Sequence, residues 1–321
     1  MSHPVVPEGY SVRTPTAGDA AAVADLIAAC QLAVGDRSGM TVEELVEDWQ
    51  GIELAEEAVA VEAPVGGLAA YADVLNRSYV SVSVYGYVHP EHRERGLGGY
   101  LVRWGENWAR ERVDLAPEDA RVVVQYYAHT GDEAARRLLE TSGYAPVRGY
   151  YRMSVELDGA PRPPEWPEGV AVRPFVPGRD ERAAYEAVED AFQDVWGRPR
   201  GTFERFVGLT KGEGFDPGLW FIAESGGEIS GTCFGKVVAG RGEVDVVGVR
   251  RPWRGKGLGL ALLRHALGEL YRRGVRVVGL SVDAESVTGA PRLYGRAGMR
   301  VSESYVLYQK EIRPGSHTDA S

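Results

Sequence analysis

The chain has 321 residues, of which 44% are hydrophobic and 26% are charged, and its formal net charge is −10. This composition is typical of globular proteins and excludes fibrous, low-complexity and wholly disordered classes. The length predicts about two domains, and the acidic balance disfavours a nucleic-acid partner, because such partners usually meet a basic surface.

We expect no secretory signal, no membrane-spanning segment and no metal motif in this sequence. No apolar run approaches the ~18 residues that span a bilayer, and the opening MSHPVVPEGYSVR has no basic region before an apolar core. We therefore expect a cytoplasmic protein without a membrane partner. Cys30 and Cys233 are about two hundred residues apart and match no metal-binding spacing, so we expect two buried free thiols and no metal.

The predicted elements follow one order in each half: a strand, two helices, antiparallel strands, a helix, a strand, a helix and a last strand. In the second half, residues 170–175 alternate as a strand, and residues 181–195 place apolar side chains at helical spacing. The strands LWFIAES and ISGTCFGKVV flank the hairpin turn SGGE, and EVDVVGV follows. A helix ends at Gly274, before the strand VRVVGLSVD, the short helix GAPRLYGRAG and the final strand SESYVLYQKE. This order predicts an α+β fold with a mixed, mostly antiparallel sheet flanked by helices.

The chain repeats itself with an offset of about 160 residues. PEGYSVR at 7–13 returns as PEGVAVR at 167–173, and the segment at 88–112 returns at 249–273. The matching offsets predict a duplicated domain rather than a short-repeat solenoid. The predicted parts are an N-terminal domain at 1–157, a proline-rich linker at 158–168, a C-terminal domain at 169–313 and a disordered tail at 314–321. Such a tandem pair favours a monomer with an internal pseudo-dimer.

The strongest chemical feature is a glycine-rich loop between a predicted strand and a predicted helix, Arg254-Gly255-Lys256-Gly257-Leu258-Gly259. Glycines let the backbone approach a ligand closely, and the amides at a helix N-terminus attract an anion. A pyrophosphate group fits this description, and a turn that binds nothing is the alternative. The first half carries the loop again as Arg93-Glu94-Arg95-Gly96-Leu97-Gly98.

This loop, the VVGV before it and the downstream VDAESVTGAPRLYGRAGM resemble the coenzyme A signature of the GNAT superfamily of acyl-CoA-dependent N-acyltransferases. The resemblance covers roughly residues 10–155 and 168–310, and the layout is similar to tandem acetyltransferases of actinobacteria. It implies two tandem GNAT-type domains with splayed central strands, which hold acetyl-CoA as co-substrate. The implied reaction is direct acetyl transfer to the primary amine of a small molecule.

The resemblance also implies cofactor-binding residues. Backbone groups of Val247, Gly248 and Val249 would bind the acetyl-pantetheine arm, and Ser286 stands where relatives often have an Asn that touches it. The pyrophosphate would lie on Arg254, Gly255, Lys256, Gly257, Leu258, Gly259 and Leu260. The corresponding residues of the first half are Val88, Arg93, Arg95, Gly96, Leu97 and Gly98.

Acetyl transfer needs one group that removes a proton from the amine and one that protonates the leaving thiolate. The resemblance places Glu243, eleven residues before Arg254, as the base and Tyr294 as the acid. Asp245 follows Glu243 by two residues, so a regular strand puts both carboxylates on one face, where each raises the pKa of the other. A core tyrosine and a solvent-facing carboxylate are the alternative interpretations.

The same spacing places Val82 and Leu139 at the catalytic positions of the first half. We therefore expect a catalytically silent N-terminal domain, and the sequence leaves open whether that domain binds acetyl-CoA. Its net charge to residue 160 is −12, whereas the remainder has +2, so the second half is the better host for a polyanionic cofactor.

Candidate acceptor-binding residues are Phe192, Trp196 and Asp283, with ordinary helix packing as the alternative for the two aromatic residues. The leading interpretation is an N-acetyltransferase that acts on a small amine. The alternatives are an enzyme that acetylates a cysteinyl amine, an antibiotic- or toxin-modifying acetyltransferase, and a non-catalytic acyl-CoA sensor. Glu243 and Tyr294 argue against a sensor, because a binding protein needs neither side chain.

Overall fold

The computed structural model describes residues 4–36, 39–198, 200–212 and 214–316. These residues form two compact units. The first unit holds the chain up to Gly149 together with the described residues from Ser304 onward, and the second unit holds Tyr150–Glu303. Each unit is a mixed sheet with helices on both faces, so the predicted α+β class is confirmed.

The sheet of the first unit has the strand order β1-β2-β3-β4-β5-β12. Its strands are β1 (Ser11–Arg13), β2 (Ala58–Glu62), β3 (Leu68–Arg77), β4 (Ser81–Val88), β5 (Val122–His129) and the part of β12 (Arg300–Arg313) from Ser304 onward. Its helices are α1 (Ala20–Ala33), α2 (Val42–Trp49), α3 (Leu54–Glu57), α4 (Leu97–Glu111) and α5 (Glu133–Thr141). One apolar cluster packs α4 on the sheet, and a second packs α1 and α2 on Tyr71.

The sheet of the second unit has the order β6-β11-β10-β9-β8-β7. Its strands are the part of β6 (Ala145–Glu156) from Tyr150 onward, β7 (Val170–Pro174), β8 (Trp220–Ser225), β9 (Glu228–Val238), β10 (Arg241–Val249) and β11 (Val277–Asp283). Its helices are α6 (Glu181–Phe192), α7 (Phe203–Leu209), α8 (Leu258–Arg272) and α9 (Ala290–Arg296). The buried face of α8 carries Leu258, Leu262, Leu263, Leu267 and Leu270 into the main apolar cluster.

The two central strands of each sheet are parallel and pair over only a few residues. In the second unit β10 and β11 pair at Gly242↔Val278 and Glu243↔Gly279 and then separate. In the first unit β4 and β5 pair over Ser81–Ser83 and then separate. Each sheet therefore opens toward the loop that follows β10 or β4, which agrees with the predicted splayed central strands.

The compact units differ from the predicted domain boundaries at their last strands. Tyr150–Glu156, placed by the sequence in the N-terminal domain, pair with β11 of the second unit. Tyr305–Arg313, placed in the C-terminal domain, pair with β5 of the first unit. Both strands have the composition of any final strand, so the sequence pattern does not identify the sheet that each one completes.

The predicted linker and tail are partly ordered. Residues 158–168 have no regular secondary structure, but Trp166 packs edge-on against His265 and Glu165 pairs with Arg264, both on α8. In the predicted tail, Ser316 exchanges backbone hydrogen bonds of 2.9 and 3.0 Å with Asp119 and Arg121. Residues 317–321 lie outside the described residues.

Both cysteines are buried and form no disulfide. Burial raises the pKa of the Cys30 thiol to about 11 and that of Cys233 to about 12, so neither is a ready nucleophile. Within the described ranges, no helix is long and apolar enough to cross a membrane, and no cluster of three His, Cys, Asp or Glu side chains is placed to hold a metal ion.

The placement of β12 predicts that a substitution near the C-terminus destabilises the first unit. Tyr308 is 1% exposed and donates a 2.9 Å hydrogen bond to Glu140. We expect Tyr308→Ala to cost about 3–5 kcal/mol and to accelerate hydrogen exchange of the β5 amides. Met299→Ala, in the core of the second unit, is the matched control and should accelerate exchange in β11 instead. Equal acceleration of both strands by either variant would contradict the assignment of β12.

Candidate active site

The loop after β10 has the geometry of an anion site. Gly255 and Gly257 are exposed and adopt left-handed conformations, with φ of +77° and +86°, and a Cβ on either would meet open space. Gly257 is the N-cap of the 15-residue helix α8. The unpaired amides and the positive end of this helix therefore face solvent at a place where a phosphate group can approach the backbone.

Most of the positive charge beside the loop is already paired. Arg250 binds Asp190 at 2.6 Å, and Arg251 and Arg254 both bind Asp194, which lowers the pKa of that carboxyl to about 2. Lys256 is exposed, and no ion pair is found for it among the described residues. Lys256 is therefore the loop cation that is available to an anionic ligand.

Arg254 forms hydrogen bonds with the elements that surround the loop. Its guanidinium donates to the carbonyl of Val249 at 3.0 Å, to the carbonyl of Ala191 at 2.9 Å and to Asp194 at 2.7 Å. These bonds join the end of β10 to the end of α6. The side chain of Arg254 thus connects the loop to β10, to α6 and to Asp194.

The third glycine of the loop brings the predicted acid into place. A Cβ on Gly259 would lie 2.9 Å from Leu293 Cδ1, so α9 packs directly on the first turn of α8. The next residue, Tyr294, is 9% exposed and belongs to an apolar cluster that includes Cys233. Burial, with a smaller contribution from Cys233, raises the pKa of Tyr294 well above its ordinary value. The hydroxyl therefore stays protonated at neutral pH, which is the form that the predicted acid role requires.

The predicted base lies at the point where β10 and β11 separate. Both oxygens of the Glu243 carboxylate accept hydrogen bonds of 2.5 Å from the two terminal nitrogens of Arg152 on β6. A Cβ at position 279 would lie 2.8 Å from the Arg152 guanidinium, so Gly279 on β11 leaves the space that this ion pair fills. Sequence reasoning missed Arg152, because it lies 91 residues from Glu243 among other arginines with no motif around it.

The predicted shared face of Glu243 and Asp245 assumed a regular strand, and the strand is not regular there. The register between β10 and β9 shifts between Val244 and Val246, which makes Asp245 the extra residue of a β-bulge. A bulge interrupts the alternation of side chains. Asp245 is exposed, whereas Glu243 is partly buried, so the two carboxylates have different surroundings.

The remaining predicted residues lie on β10, at and after the end of α6, and between the end of β11 and α9. A Cβ on Gly248 would lie 3.1 Å from both Ala191 and Phe192, so α6 packs closely on β10 at this glycine. Trp196 is 38% exposed in the segment after α6. Asp283 accepts a hydrogen bond from the Glu285 amide at 2.8 Å and shapes the turn before α9. Ser286 bonds Thr288 in the same turn at 2.9 Å.

The loop of the first unit has the same shape with different chemistry. Gly96 caps α4 with φ of +82°, as Gly257 caps α8. Glu94 has φ of +62° at the position of Gly255, which places a carboxylate and a strained conformation in the loop. Arg93 lies 3.4 Å from Asp132.

The counterparts of the predicted catalytic residues in the first unit are Ser83 and Leu139. Ser83↔Gln125 is the last pair before β4 and β5 separate, as Glu243↔Gly279 is in the second unit. The position predicted by counting, Val82, is wrong by one residue because the bulge adds a residue to β10. Gly98 contacts Leu138 as Gly259 contacts Leu293, so Leu139 takes the place of Tyr294.

A parallel pair of strands that separates beside a glycine-capped helix defines an acyl-CoA-dependent acyltransferase site, and comparison with known proteins agrees. The model of the Acetyltransferase (GNAT) family matches residues 182–299. The chain belongs to the GNAT acetyltransferase family and is an acetyltransferase, which confirms the resemblance inferred from the sequence.

Particular relatives extend the match over most of the chain. A mycothiol acetyltransferase of Thermobispora bispora is 36% identical over 230 residues, which are 70% of this chain and 74% of that protein. A GCN5-related N-acetyltransferase from Sphaerobacter thermophilus is 54% identical, with a TM-score of 0.91 over 99% of this chain and 100% of that one. A tandem GNAT protein from the clavulanic acid biosynthesis pathway shares the fold at 16% identity, with a TM-score of 0.70 over 96% and 100% of the two chains. The predicted tandem GNAT fold is therefore confirmed.

The Arg152–Glu243 pair should stabilise the second unit measurably. In a double-mutant cycle with Arg152→Met and Glu243→Gln, we expect a coupling energy of about 1–3 kcal/mol from denaturant unfolding, because the pair is bidentate and partly buried. The exposed pair Arg137–Glu133, with side chains 72% and 77% accessible, is the control and should give about 0–0.5 kcal/mol. A coupling no larger than that of the control would show that the pair does not hold the strands.

Proposed function

We propose that the second unit transfers an acetyl group from acetyl-CoA to the primary amine of a small molecule, while the first unit is catalytically silent. The observation that carries the proposal is the open edge of β10. Beyond Glu243, no described residue pairs with this strand on the β11 side, and the strand leads directly into the exposed loop at Gly255–Gly257. An unpaired strand edge offers backbone groups to an extended ligand such as a pantetheine arm.

Acetyl-CoA fits these residues in two parts. The pyrophosphate would lie on the amides from Gly255 to Leu260, with Lys256 as the nearest cation. The pantetheine arm would follow β10 along Val247, Gly248 and Val249. The thioester then reaches the region between β10 and α9, which is lined by the apolar cluster that contains Tyr294. Bound there, acetyl-CoA supplies an activated acyl group.

The transfer itself needs few groups. The amine nitrogen forms a bond to the acetyl carbonyl carbon, the carbon–sulfur bond breaks, and the thiolate takes a proton from the Tyr294 hydroxyl. The amine loses its proton to Glu243. Because both oxygens of Glu243 are held by Arg152, this proton passes through a bridging water rather than by direct contact. Exposed Asp245 adds negative charge that attracts the ammonium form of the acceptor.

The relatives point to one acceptor above others. Curated relatives that match 70% of the chain are named mycothiol acetyltransferase, and we infer an acceptor of that class, a cysteinyl amine. Phe192, Trp196 and Asp283 are the proposed acceptor-side residues. An antibiotic- or toxin-modifying enzyme and an acyl-CoA sensor remain the alternatives. The buried free thiols agree with a reaction in the reducing cytoplasm, and we propose a monomer there.

Charge reversal at Lys256 tests donor binding. We expect Lys256→Glu to weaken acetyl-CoA binding at least tenfold by calorimetry, because a carboxylate replaces the unpaired cation beside the pyrophosphate. Lys211→Glu changes the net charge equally on another exposed lysine of the second unit and should leave the affinity unchanged. Equal effects of the two variants would show that the loop is not part of the donor-binding site.

Removal of one hydroxyl tests the chemistry. We expect Tyr294→Phe to lower kcat about 100-fold with little change in the KM for acetyl-CoA, because the thiolate loses its proton donor. The assay measures released CoA with a panel of amines that includes a cysteinyl amine and aminoglycosides. Tyr271→Phe, on α8, is the matched control and should keep full activity. Undiminished activity of Tyr294→Phe would contradict the proposed role of this residue. If the unaltered chain transferred an acetyl group to none of the amines, the result would favour an acyl-CoA sensor.

A further inference from the structure

One face of the first unit carries an unusual group of polar and aromatic side chains. Asp73 on β3 lies opposite Tyr85 on β4, and Tyr71 lies opposite Tyr87. Because directly opposed residues and residues two apart share a face of an antiparallel sheet, these four side chains lie together. The helices α1 and α2 cover this face only in part, since Asp73, Tyr85 and Tyr87 all keep some exposure.

A hydrogen-bond chain fixes the aspartate. The indole N–H of Trp49 on α2 donates to the Tyr71 hydroxyl at 2.8 Å, and this hydroxyl donates to Asp73 Oδ2 at 2.8 Å. Within the described residues, no hydrogen bond reaches Asp73 Oδ1. The chain therefore orients one carboxylate oxygen and leaves the other for a ligand.

The surroundings of Asp73 favour a cation. The pKa of Asp73 is raised to about 7. Burial is the largest cause, and the charges of Asp48 and Glu57 add to it, whereas the hydrogen bond from Tyr71 lowers the pKa. Among the described residues this carboxylate has no positive partner, so a cation that binds beside it relieves the cost of its charge.

Aromatic rings border the same place. Tyr85 stacks on Tyr127 of β5 with ring centroids 6.2 Å apart and an interplanar angle of 8°. The two strands have already separated there, because their last pair is Ser83↔Gln125. Partly exposed tyrosine rings beside a carboxylate suit an alkylammonium ion, which binds to ring faces and carboxylates together. A metal ion prefers several oxygen ligands instead.

The second unit has no such group at the equivalent positions. Aligned on the strand pairs Ala70↔Val88 and Gly231↔Val249, which precede the two loops, Asp73 corresponds to Phe234 and Tyr85 to Val246. Phe234 is 2% exposed and stacks on Trp220 at 4.2 Å, in an apolar cluster. The polar group is thus a property of the first unit.

We propose that the first unit contains a binding site for an organic ammonium ion, with Asp73 as its counter-ion and the rings of Tyr85 and Tyr87 as its walls. This site goes beyond the proposed function and does not rest on it. It gives the first unit a ligand of its own, which is recognised by its charge and by contact with aromatic rings.

The test is calorimetric titration of the full chain with n-butylammonium, without acetyl-CoA. We expect binding that Asp73→Asn weakens at least tenfold, because Asn keeps the acceptor for Tyr71 but loses the charge. Asp25→Asn, on an exposed position of α1, makes the same charge change and should bind as the unaltered chain does. The neutral isostere n-butanol should bind at least tenfold more weakly. Equal binding of the two probes would overturn the proposal.

A third variant separates this site from the proposed active site. Glu243→Gln should keep the binding that Asp73→Asn loses. Loss of binding in Glu243→Gln with full binding in Asp73→Asn would place the ammonium site in the second unit, and this inference would fail while the proposed function stood.

A pH series on the unaltered chain covers the case in which Asp73→Asn does not fold. Among the described residues, the ionisable groups around Asp73 are Tyr71, Tyr85 and Tyr87 on the strands, Asp48 on α2 and Glu57 on α3. The tyrosines do not titrate near neutrality, and butylammonium stays cationic. Since Asp73 is charged above its pKa of about 7 and neutral below it, the affinity should be about tenfold lower at pH 6 than at pH 8. An affinity that is flat over this range would overturn the proposal.

Discussion

The second unit depends on the place where β10 and β11 stop pairing. The strands share two residue pairs, and at the second of them Glu243 is clamped by Arg152 in the space that Gly279 leaves open. Without a third pair, the edge of β10 stays available beyond this point and leads to the glycine-capped start of α8. A longer pairing would close the sheet and remove the route along which we propose that the acyl-CoA donor enters.

The two units preserve this backbone design and differ in the side chains placed on it. Both have a left-handed glycine at the start of the helix after the central strand, and both pack that helix on a leucine of the next one. Four of the positions described above carry different residues in the two units. Glu94 of the first unit corresponds to Gly255 of the second, Ser83 to Glu243, Leu139 to Tyr294, and Asp73 to Phe234. Backbone geometry is therefore retained around the loop, while the charged and hydroxyl side chains differ between the units.

Exchange of the last strands makes each unit depend on the other half of the sequence. Arg152 comes from the strand before the linker but acts in the second unit. In the first unit, Lys310 binds Glu106 at 2.8 Å. Burial by itself raises the pKa of Glu106, but the hydrogen bonds from Lys310 and Arg110 lower it to below its ordinary value. Such a buried carboxylate needs its cation in place, so the first half of the sequence alone lacks part of its own unit.

The amino-acid sequence by itself determined the elements, the duplication, the phosphate-type loop and the position of Tyr294, because periodicity, glycine spacing and helix caps act between residues close in the chain. The family resemblance rested on the same local motifs. Tertiary structure alone decided which sheet each last strand completes, that Arg254 connects the loop to β10 and α6 and that Arg152 holds Glu243. It also revealed the bulge at Asp245 and the group around Asp73. These features depend on pairing between strands far apart in sequence, and no local pattern encodes which distant side chain fills a given space.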